Sequence, residues 1–201
     1  MADLHWWAQH GPKLNDRALI VPPTGPLIST ILVDGRGRQA DGGLPSLGGL
    51  CYPTKQFFAM VAPAEFAQSP VHVIEAIALL AAARAWVPTL PEYSVIAIGS
   101  DNQPVVNAFH HGRASDPALA AMTRLLWGVF ATSTCTAELR YVSTKDNSAD
   151  GVSRLSAKDI ACLSKTGWTR LSLSPAFFAL DESDVFRYQE EAPTPWRPPP
   201  S

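Results

Sequence analysis

The segment between Ser69 and Pro88 constrains the fold more than any other part of the sequence. Its residues, VHVIEAIALLAAARAWV, are apolar on nearly every side of a helix, and such a helix is buried in the middle of a domain. Serine suits an N-cap, Pro70 suits the first helical position, and Pro88 ends the helix. We therefore expect this helix to be buried against a sheet.

Strand-like segments lie on both sides of this helix. Residues 28–33 (ISTILV) end at Asp34, and LGGLCYP and KQFFAMVAP follow, which predicts a three-strand meander. Residues 95–98 (VIAI) are apolar on both faces, as in a central strand, and AELRYVS from Ala137 alternates as a fifth strand does. The predicted fold is therefore α/β, with a mixed five-stranded sheet of an antiparallel meander plus two parallel strands, flanked by helices.

Three further helices are predicted after the central strand. Residues 103–111 are followed by Gly112 as a C-terminal stop, and Ser115-Asp116-Pro117 starts a helix that runs to about residue 131. KDNSADGVSRLSAKDIACL then indicates a turn and one last helix. The predicted organisation is a connecting segment (1–27), one α/β domain (28–160) and a C-terminal extension with a proline-rich tail (161–201).

Composition excludes several classes of protein. A hydrophobic fraction of 46% and a charged fraction of 17% are typical of a globular domain, and the net charge of −2 indicates no polyanionic partner by itself. The three cysteines form no CxxC motif, so neither a zinc site nor a disulfide framework is expected. Cysteines that stay reduced are typical of the cytoplasm or nucleus, and we expect one of these locations. The longest apolar run, residues 76–83, is far shorter than the roughly 20 residues of a membrane crossing, so no membrane partner is expected.

Four carboxylates occupy positions from which they can converge. Asp34 ends the first strand, Asp101 ends the central strand, Glu75 lies one turn into the buried helix, and Asp150 lies in the first turn of the last helix. Ligands of open α/β sheets bind at the carboxyl ends of strands. Clustered carboxylates repel one another without cations, and hard oxygen ligands suit Mg²⁺ or Mn²⁺. A pair of such ions about 4 Å apart is the arrangement that cleaves phosphodiesters.

Each aspartate also has a purely structural interpretation. Asp34 could begin a glycine-rich turn, and the pair Asp101-Asn102 could cap the helix that follows. Asp150 could reach back to Asn147 in a capping box. These uses are common for aspartate, so no single position identifies a metal site.

Glu75 is harder to explain structurally. It is the only acid in a helix of valine, isoleucine, alanine and leucine, and a charge rarely lies among such residues unpaired. The positions three and four residues later are Ala78 and Leu79, so a local salt bridge could form only with His72. The four acids together therefore favour a metal site over four coincidences.

Four segments carry a resemblance to a known family: ILVDG, PVHVIEAIALLAAARAW, SDNQPVVNAFHHGRASDPAL and DNSADGVSRL. They resemble ribonuclease H, and within it the RNase H domain of reverse transcriptase polyproteins from retrotransposons, especially DIRS-like elements, and pararetroviruses. The last two segments are the most specific, and the last matches a pattern of Asn-x-Ala-Asp followed by Ser-Arg. The resemblance covers roughly residues 3–156.

The resemblance implies a function and a site. Asp34, Glu75, Asp101 and Asp150 would be the catalytic acids and would bind two Mg²⁺ or Mn²⁺ ions. The implied reaction is endonucleolytic cleavage of the RNA strand of an RNA–DNA hybrid, and the polymerase domain of the reverse transcriptase is an implied partner. The predicted substrate contacts are Asn102, His111, Arg113 and Asn147. His111 and Arg113 are included because they could contact phosphates, although they fit the solvated end of a helix equally well.

The sequence departs from the family in one loop. Many relatives carry a histidine in a His-x-x-Gly loop before the last acid, whereas this chain has Tyr141 in its place and Thr144 where the glycine would lie. That histidine is thought to help the leaving step, so slower turnover is expected.

A second aspartate, Asp41, matches the spacing of DIRS-like relatives, but rigidity favours Asp34 as the metal ligand because Asp41 follows a glycine-rich loop.

Two alternatives are another nuclease or integrase of the same fold and, from a different functional class, a protein without catalytic activity. Integrases carry their glutamate after both aspartates and proofreading exonucleases carry Asp-x-Glu on the first strand, whereas here Glu75 comes second and residue 36 is Arg. A catalytically idle scaffold or binding module is favoured by the missing histidine and by residues 181–201, which carry five acids and two arginines. The intact set of acids favours an enzyme.

Overall fold

The structure is a computed structural model that describes residues 27–40, 42–92, 94–180 and 194–195. Asp41 lies outside the described residues, as do residues 1–26 of the predicted connecting segment and most of the acidic C-terminal end.

One mixed sheet forms the middle of the domain. Its strands are β1 (Leu27–Arg36), β2 (Ser46–Cys51), β3 (Gln56–Val61), β4 (Val95–Ser100), β5 (Thr136–Tyr141), β6 (Thr169–Ser172) and the two-residue β7 (Thr194–Pro195). Their order is β5-β4-β1-β2-β3-β6-β7. β1, β2 and β3 form the antiparallel meander, and β4 and β5 run parallel to β1. The predicted fold class is confirmed.

The sheet has more strands than the five predicted. β6 pairs in parallel with β3 through Gln56–Thr169 and Phe57–Arg170, and β7 pairs with β6. A strand of four residues has too little periodicity to predict β6, which is held by its pairing with β3. The predicted boundary at residue 160 falls inside a helix, and the sheet continues beyond it.

The helices are α1 (Val71–Trp86), α2 (Gln103–His111), α3 (Pro117–Thr132), α4 (Ala149–Ser153) and α5 (Ala157–Lys165). In α1, 14 residues are buried, as the sequence predicts. Pro70, not Ser69, occupies its N-cap position, and no side chain caps it. Residues Val71–Thr89 are long and apolar enough to cross a membrane, but 83% of their most apolar window is buried inside the structure, so this is the core helix.

The ends of α2 and α3 follow local chemistry. Asn102 accepts a hydrogen bond from the Val105 amide at 3.1 Å, and Gly112 ends α2 in the left-handed conformation at φ 63°. Asp116 caps α3, because its side chain accepts hydrogen bonds from the Ala118 and Leu119 amides.

The single last helix predicted from the sequence is two helices. Leu155 has a φ of 54°, which ends α4, and the Ser156 side chain then caps α5. The break lets the short α4 lie on the sheet face opposite α1, where Ala149 and Val152 pack with Leu32 and Leu50.

A buried arginine attaches the C-terminal part of the chain to α1. Arg84 is 2% exposed, and its Nη1 donates to the carbonyl of Phe177 at 3.0 Å and to that of Ala179 at 2.8 Å. Phe177 and Phe178 are themselves buried. Residues up to 180 therefore belong to the folded domain.

We expect Arg84→Met to lower the free energy of unfolding by about 3 kcal/mol, because it leaves buried carbonyls without their charged donor. Chemical denaturation measures this. The matched control is Arg140→Met, since Arg140 is half exposed and pairs with Glu138 at the surface, where the cost should be below about 1 kcal/mol. Equal losses in the two variants would contradict the anchoring role of Arg84.

Candidate metal centre

Three carboxylates converge at one edge of the sheet. Each of Asp34, Glu75 and Asp101 offers a ligand oxygen, and these oxygens all lie within 4.8 Å of one another. β1 and β4 are neighbouring parallel strands, so the carboxyl ends that carry Asp34 and Asp101 lie side by side. α1 brings Glu75 to the same edge. The structure thus brings together three of the four predicted acids.

Two glycines allow helices to approach Asp34 closely from both faces of the sheet. A Cβ on Gly35 would lie 2.6 Å from the backbone nitrogen of Glu75. A Cβ on Gly48, which pairs with Asp34 across β1 and β2, would lie 2.8 Å from the Cα of Ser153. Neither distance is tolerated by a larger residue, so both positions require glycine.

The buried Asp34 is held from α4. Ser153 Oγ donates to Asp34 Oδ2, and the Ser153 carbonyl accepts from Ser46 Oγ of β2. Both serines are buried. Ser153 therefore fixes the orientation of Asp34. The only sign of Ser153 in the sequence was its place in the Ser-Arg motif, which did not indicate this role.

The carboxylate of Glu75 has polar neighbours from the end of β4. Ser100 Oγ donates to Glu75 Oε2 at 3.5 Å, and the side chain of Asn102 acts to lower the pKa of Glu75. The salt bridge with His72, which was the local partner that the sequence offered for Glu75, does not form. His72 Nε2 instead lies 2.9 Å from Asp116 Oδ2, 44 residues along the chain.

Both oxygens of Asp101 are bound by the loop between β5 and α4. Thr144 Oγ1 donates to Oδ2 at 2.8 Å, and Asn147 Nδ2 donates to Oδ1 at 3.3 Å. Thr144 is the residue that replaces the family's glycine, and the sequence gave no indication of this contact. Tyr141, in the place of the family's histidine, is 51% exposed at the end of β5.

Asn147, one of the predicted substrate contacts, is buried and hydrogen-bonded within the fold. It is 3% exposed, its Nδ2 also donates to the Val33 carbonyl at 2.9 Å, and its Oδ1 accepts from the Ala149 amide at 3.2 Å. These bonds tie α4 to β1 and to Asp101. Asn102 is similarly engaged, because its Oδ1 accepts from the Val105 amide and caps α2.

Asp150 lies beside the cluster, but its carboxylate has another partner. Arg154 Nε donates to Asp150 Oδ1 at 2.7 Å, with side chains 54% and 32% exposed. The capping-box interpretation is wrong, because the Asp150 side chain bonds Arg154 instead of reaching back. Its negative charge still raises the pKa of Asp34, so the two carboxylates are electrostatically close.

Burial dominates the protonation of the cluster. It raises the pKa of Glu75 to about 8 despite hydrogen bonds from Asn102 and Ser100, and the charges of Asp101 and Asp34 add to the rise. Burial likewise raises the pKa of Asp34 to about 6 against the hydrogen bond from Ser153, and the charges of Asp101 and Asp150 contribute. Near neutral pH the cluster without a cation therefore keeps a proton that a cation would displace.

These three residues fit a divalent metal ion. Carboxylate oxygens are hard ligands of the kind that Mg²⁺ and Mn²⁺ prefer, and a spacing within 4.8 Å allows three of them to bind one ion. The raised pKa values, caused first by burial and then by the neighbouring carboxylates, accord with a site whose buried charge a cation would neutralise.

His111 and Arg113 lie in an open groove beside α2. The groove has a volume of about 820 Å³, and its lining includes Asn107, Ser115 and the His72–Asp116 pair. His111 Nδ1 donates to the Asn107 carbonyl at 2.7 Å, while Arg113 is exposed. The structure brings both predicted phosphate contacts to this groove.

A second groove adjoins the acids on the α4 side. It measures about 620 Å³, and Thr144, Lys145 and Asp150 contribute to its lining. Tyr52 and Trp168 also line it, with ring centroids 5.2 Å apart. The sequence gave no signal for this groove, because its walls come from β2, α4, α5 and the start of β6.

Comparison with solved structures identifies the fold. LC11-RNase H1, isolated from compost by a metagenomic approach, matches with a TM-score of 0.53 and 13% identity over 68% of this chain and 99% of that one. RNase H1 from the halophilic archaeon Halobacterium salinarum NRC-1 matches with a TM-score of 0.49 and 14% identity over 65% and 98%. LC11-RNase H1 in complex with an RNA/DNA hybrid matches with a TM-score of 0.49 and 12% identity over 66% and 99%. No protein-family model and no curated protein matches the sequence. The first of these likenesses shows that the chain has an RNase H-like fold.

We expect the metal-free protein to lose stability as the pH rises from about 5 to about 8. In this window the folded state keeps protons on Glu75 and Asp34, whose pKa values are raised from 4.5 and 3.8, whereas the unfolded state has lost them. The folded state binds more protons, so removing them destabilises it. Thermal melts in EDTA across this range measure the effect, and Mg²⁺ should raise Tm more at the upper end.

Glu75→Gln is the control for the pH dependence, because it removes the group with the largest shift and should flatten the upper part of the metal-free profile. A wild-type Tm that is constant or rises over this range would contradict the assignment.

Proposed function

We propose that this chain is a metal-dependent endonuclease that cleaves the RNA strand of RNA–DNA hybrids. The observation that carries the proposal is the convergence of Asp34, Glu75 and Asp101 at the carboxyl edge of an RNase H-like sheet. When bound there, Mg²⁺ or Mn²⁺ would polarise the phosphate and activate water for phosphodiester hydrolysis.

The residues of the chain have separate roles in this proposal. Asp34, Glu75 and Asp101 hold the cation, and Asp150, beside Asp34, is the candidate ligand for a second ion. Ser153 orients Asp34, while Thr144 and Asn147 orient Asp101. Hydrogen-bonded carboxylates present their remaining lone pairs in a fixed direction, which is what a metal site requires.

The substrate is proposed to lie along the groove that contains His111 and Arg113. Their side chains would contact phosphates, which position a nucleic acid without reading its sequence. Selection of a hybrid over duplex DNA requires contact with 2′-hydroxyl groups and with the shape of the minor groove. Because the four acids repel phosphates, hybrid binding should depend on divalent cations.

We also propose that the domain is the RNase H part of a retroelement reverse transcriptase of the DIRS-like or pararetroviral kind, with the polymerase domain as its partner. The support is the resemblance of residues 100–119 and 146–155 to that family. A cytoplasmic or nuclear site of action accords with three free cysteines, of which Cys51 and Cys135 are buried and Cys162 is exposed.

An idle scaffold is the second candidate, and one observation favours it. Asp150 is paired with Arg154 and lies outside the three-oxygen cluster, so the fourth ligand is not preset for a second ion. A binding module that kept the fold and lost turnover would show metal and hybrid binding without cleavage.

The deciding experiment incubates the chain with end-labelled RNA–DNA hybrid, duplex RNA and duplex DNA in Mg²⁺, Mn²⁺ or EDTA. We expect cleavage of the RNA strand of the hybrid alone, only with a divalent ion, leaving 3′-hydroxyl and 5′-phosphate ends. Equal cleavage of duplex DNA would contradict the proposed specificity. Hybrid binding without cleavage in either metal would support the scaffold instead.

Asp101→Asn should lower hybrid cleavage by at least about a thousandfold, because a neutral amide at this position loses several kcal/mol of metal-mediated stabilisation. The fold should persist, and the metal-free Tm should rise because repulsion within the cluster falls. Asp146→Asn is the control: Asp146 lies in the neighbouring loop and bonds Ser143, so its activity should be close to wild type. Near wild-type cleavage by Asp101→Asn would refute the site.

A second pair of variants decides which aspartate leads the site. Asp34→Asn should be nearly inactive, because Asp34 is 7% exposed and belongs to the cluster, whereas Asp41→Asn should keep most activity. Rates of hybrid cleavage in Mg²⁺ are compared at equal protein concentration. The reverse pattern would assign the ligand to Asp41.

A further inference from the structure

The pairing of Asp150 with Arg154 separates the fourth predicted acid from the other three. Arg154 Nε lies 2.7 Å from Asp150 Oδ1, and both side chains are partly exposed. The pKa of Arg154 is raised, chiefly by its hydrogen bond to Asp150, and the charge of Asp34 contributes. The guanidinium is therefore within electrostatic reach of the cluster as well as of its own partner.

The fold of α4 does not depend on this ion pair. Ala149 and Val152 pack against the sheet, Ser46 donates to the Ser153 carbonyl, and Asn147 ties the start of the helix to β1. Exposed ion pairs contribute little to folding. Arg154 and Asp150 are thus free to change partners without loss of structure.

Two charged ligands would each draw one member away from the pair. A cation next to Asp34 attracts the Asp150 carboxylate, and a phosphate that approaches the acids attracts the Arg154 guanidinium, whose planar fork suits phosphate oxygens. The pocket-lining position of Asp150 leaves its carboxylate accessible from the groove beside α4. Arg154 is 54% exposed, so it can be reached from solvent.

We propose that Asp150 and Arg154 exchange partners when substrate binds: Arg154 moves from Asp150 to a phosphate of the hybrid, and the released carboxylate joins Asp34 in binding a second cation. This inference rests on the proposed nuclease function and specifies how its substrate completes the site. Hybrid and second cation then bind with positive coupling, and each raises the affinity for the other by the same factor. Arg154 is a substrate-responsive positioning residue for Asp150.

The test measures Mn²⁺ binding by isothermal titration calorimetry and hybrid binding by fluorescence anisotropy with Ca²⁺ in place of Mg²⁺. In Arg154→Gln without substrate, the affinity for the second Mn²⁺ should rise about fivefold, because the competing cation is gone. The hybrid should bind about tenfold more weakly. The gain in Mn²⁺ affinity that hybrid produces in the wild type should disappear.

A double mutant separates partner exchange from a simple change in local charge. In an Asp150→Asn background, Arg154→Gln should no longer raise Mn²⁺ affinity, whereas a general field effect would persist. Arg140→Gln is the matched control, since its pair with Glu138 has a distance of 2.6 Å and side chains 51% and 35% exposed. It should change neither Mn²⁺ nor hybrid affinity.

The outcomes distinguish this inference from the proposed function. Wild-type protein that neither binds nor cleaves hybrid refutes the function, and the Mn²⁺ measurements with and without Asp150 then still test the Asp150–Arg154 competition. Wild-type protein that cleaves hybrid, with Arg154→Gln leaving Mn²⁺ affinity and its coupling to hybrid unchanged, overturns the exchange. A gain in Mn²⁺ affinity that persists in the Asp150→Asn background also overturns it.

Discussion

The burial of three carboxyl groups together at the end of a sheet is the constraint on which the rest of this domain depends. Burial disfavours their ionised forms, and the ionised groups repel one another, so rigid elements on both faces must hold Asp34, Glu75 and Asp101 in place. Apolar packing of α1 against the sheet supplies the stabilisation, because burial of its side chains contributes far more than the repulsion removes. Neutral donors, among them Ser153 and Thr144, then set the direction of each carboxylate without cancelling its charge.

The main elements could be predicted because their signals are local. Apolar runs and alternation identify β1 to β5, and the all-apolar composition of α1 requires burial. The features that could not be predicted depend on distant partners. β6 forms by pairing with Gln56 and Phe57 of β3. The break between α4 and α5 depends on the left-handed conformation of Leu155, which the leucine side chain does not favour.

The site shows the same division. The positions of Asp34 and Asp101 at the ends of neighbouring strands predicted that they lie together, and Glu75 was identified as the only acid in an apolar helix. Side-chain partners were less predictable, because they are distant in the sequence. His72 pairs with Asp116, and Asn147 donates to the Val33 carbonyl. The Asp150–Arg154 pair has the four-residue spacing of a helical ion pair, but the same aspartate also fits a metal-binding motif, so the sequence alone does not decide between the two.

The two ends of α1 connect features that are far apart in the sequence. Glu75 lies near its first turn and Arg84 near its last, nine positions later, which is about 14 Å along a helix axis. Through Arg84 the carbonyls of Phe177 and Ala179 are fixed to the same rigid rod that carries Glu75. Because one helix carries both attachments, a shift of the Phe177–Ala179 segment along this axis would also shift the backbone of Glu75.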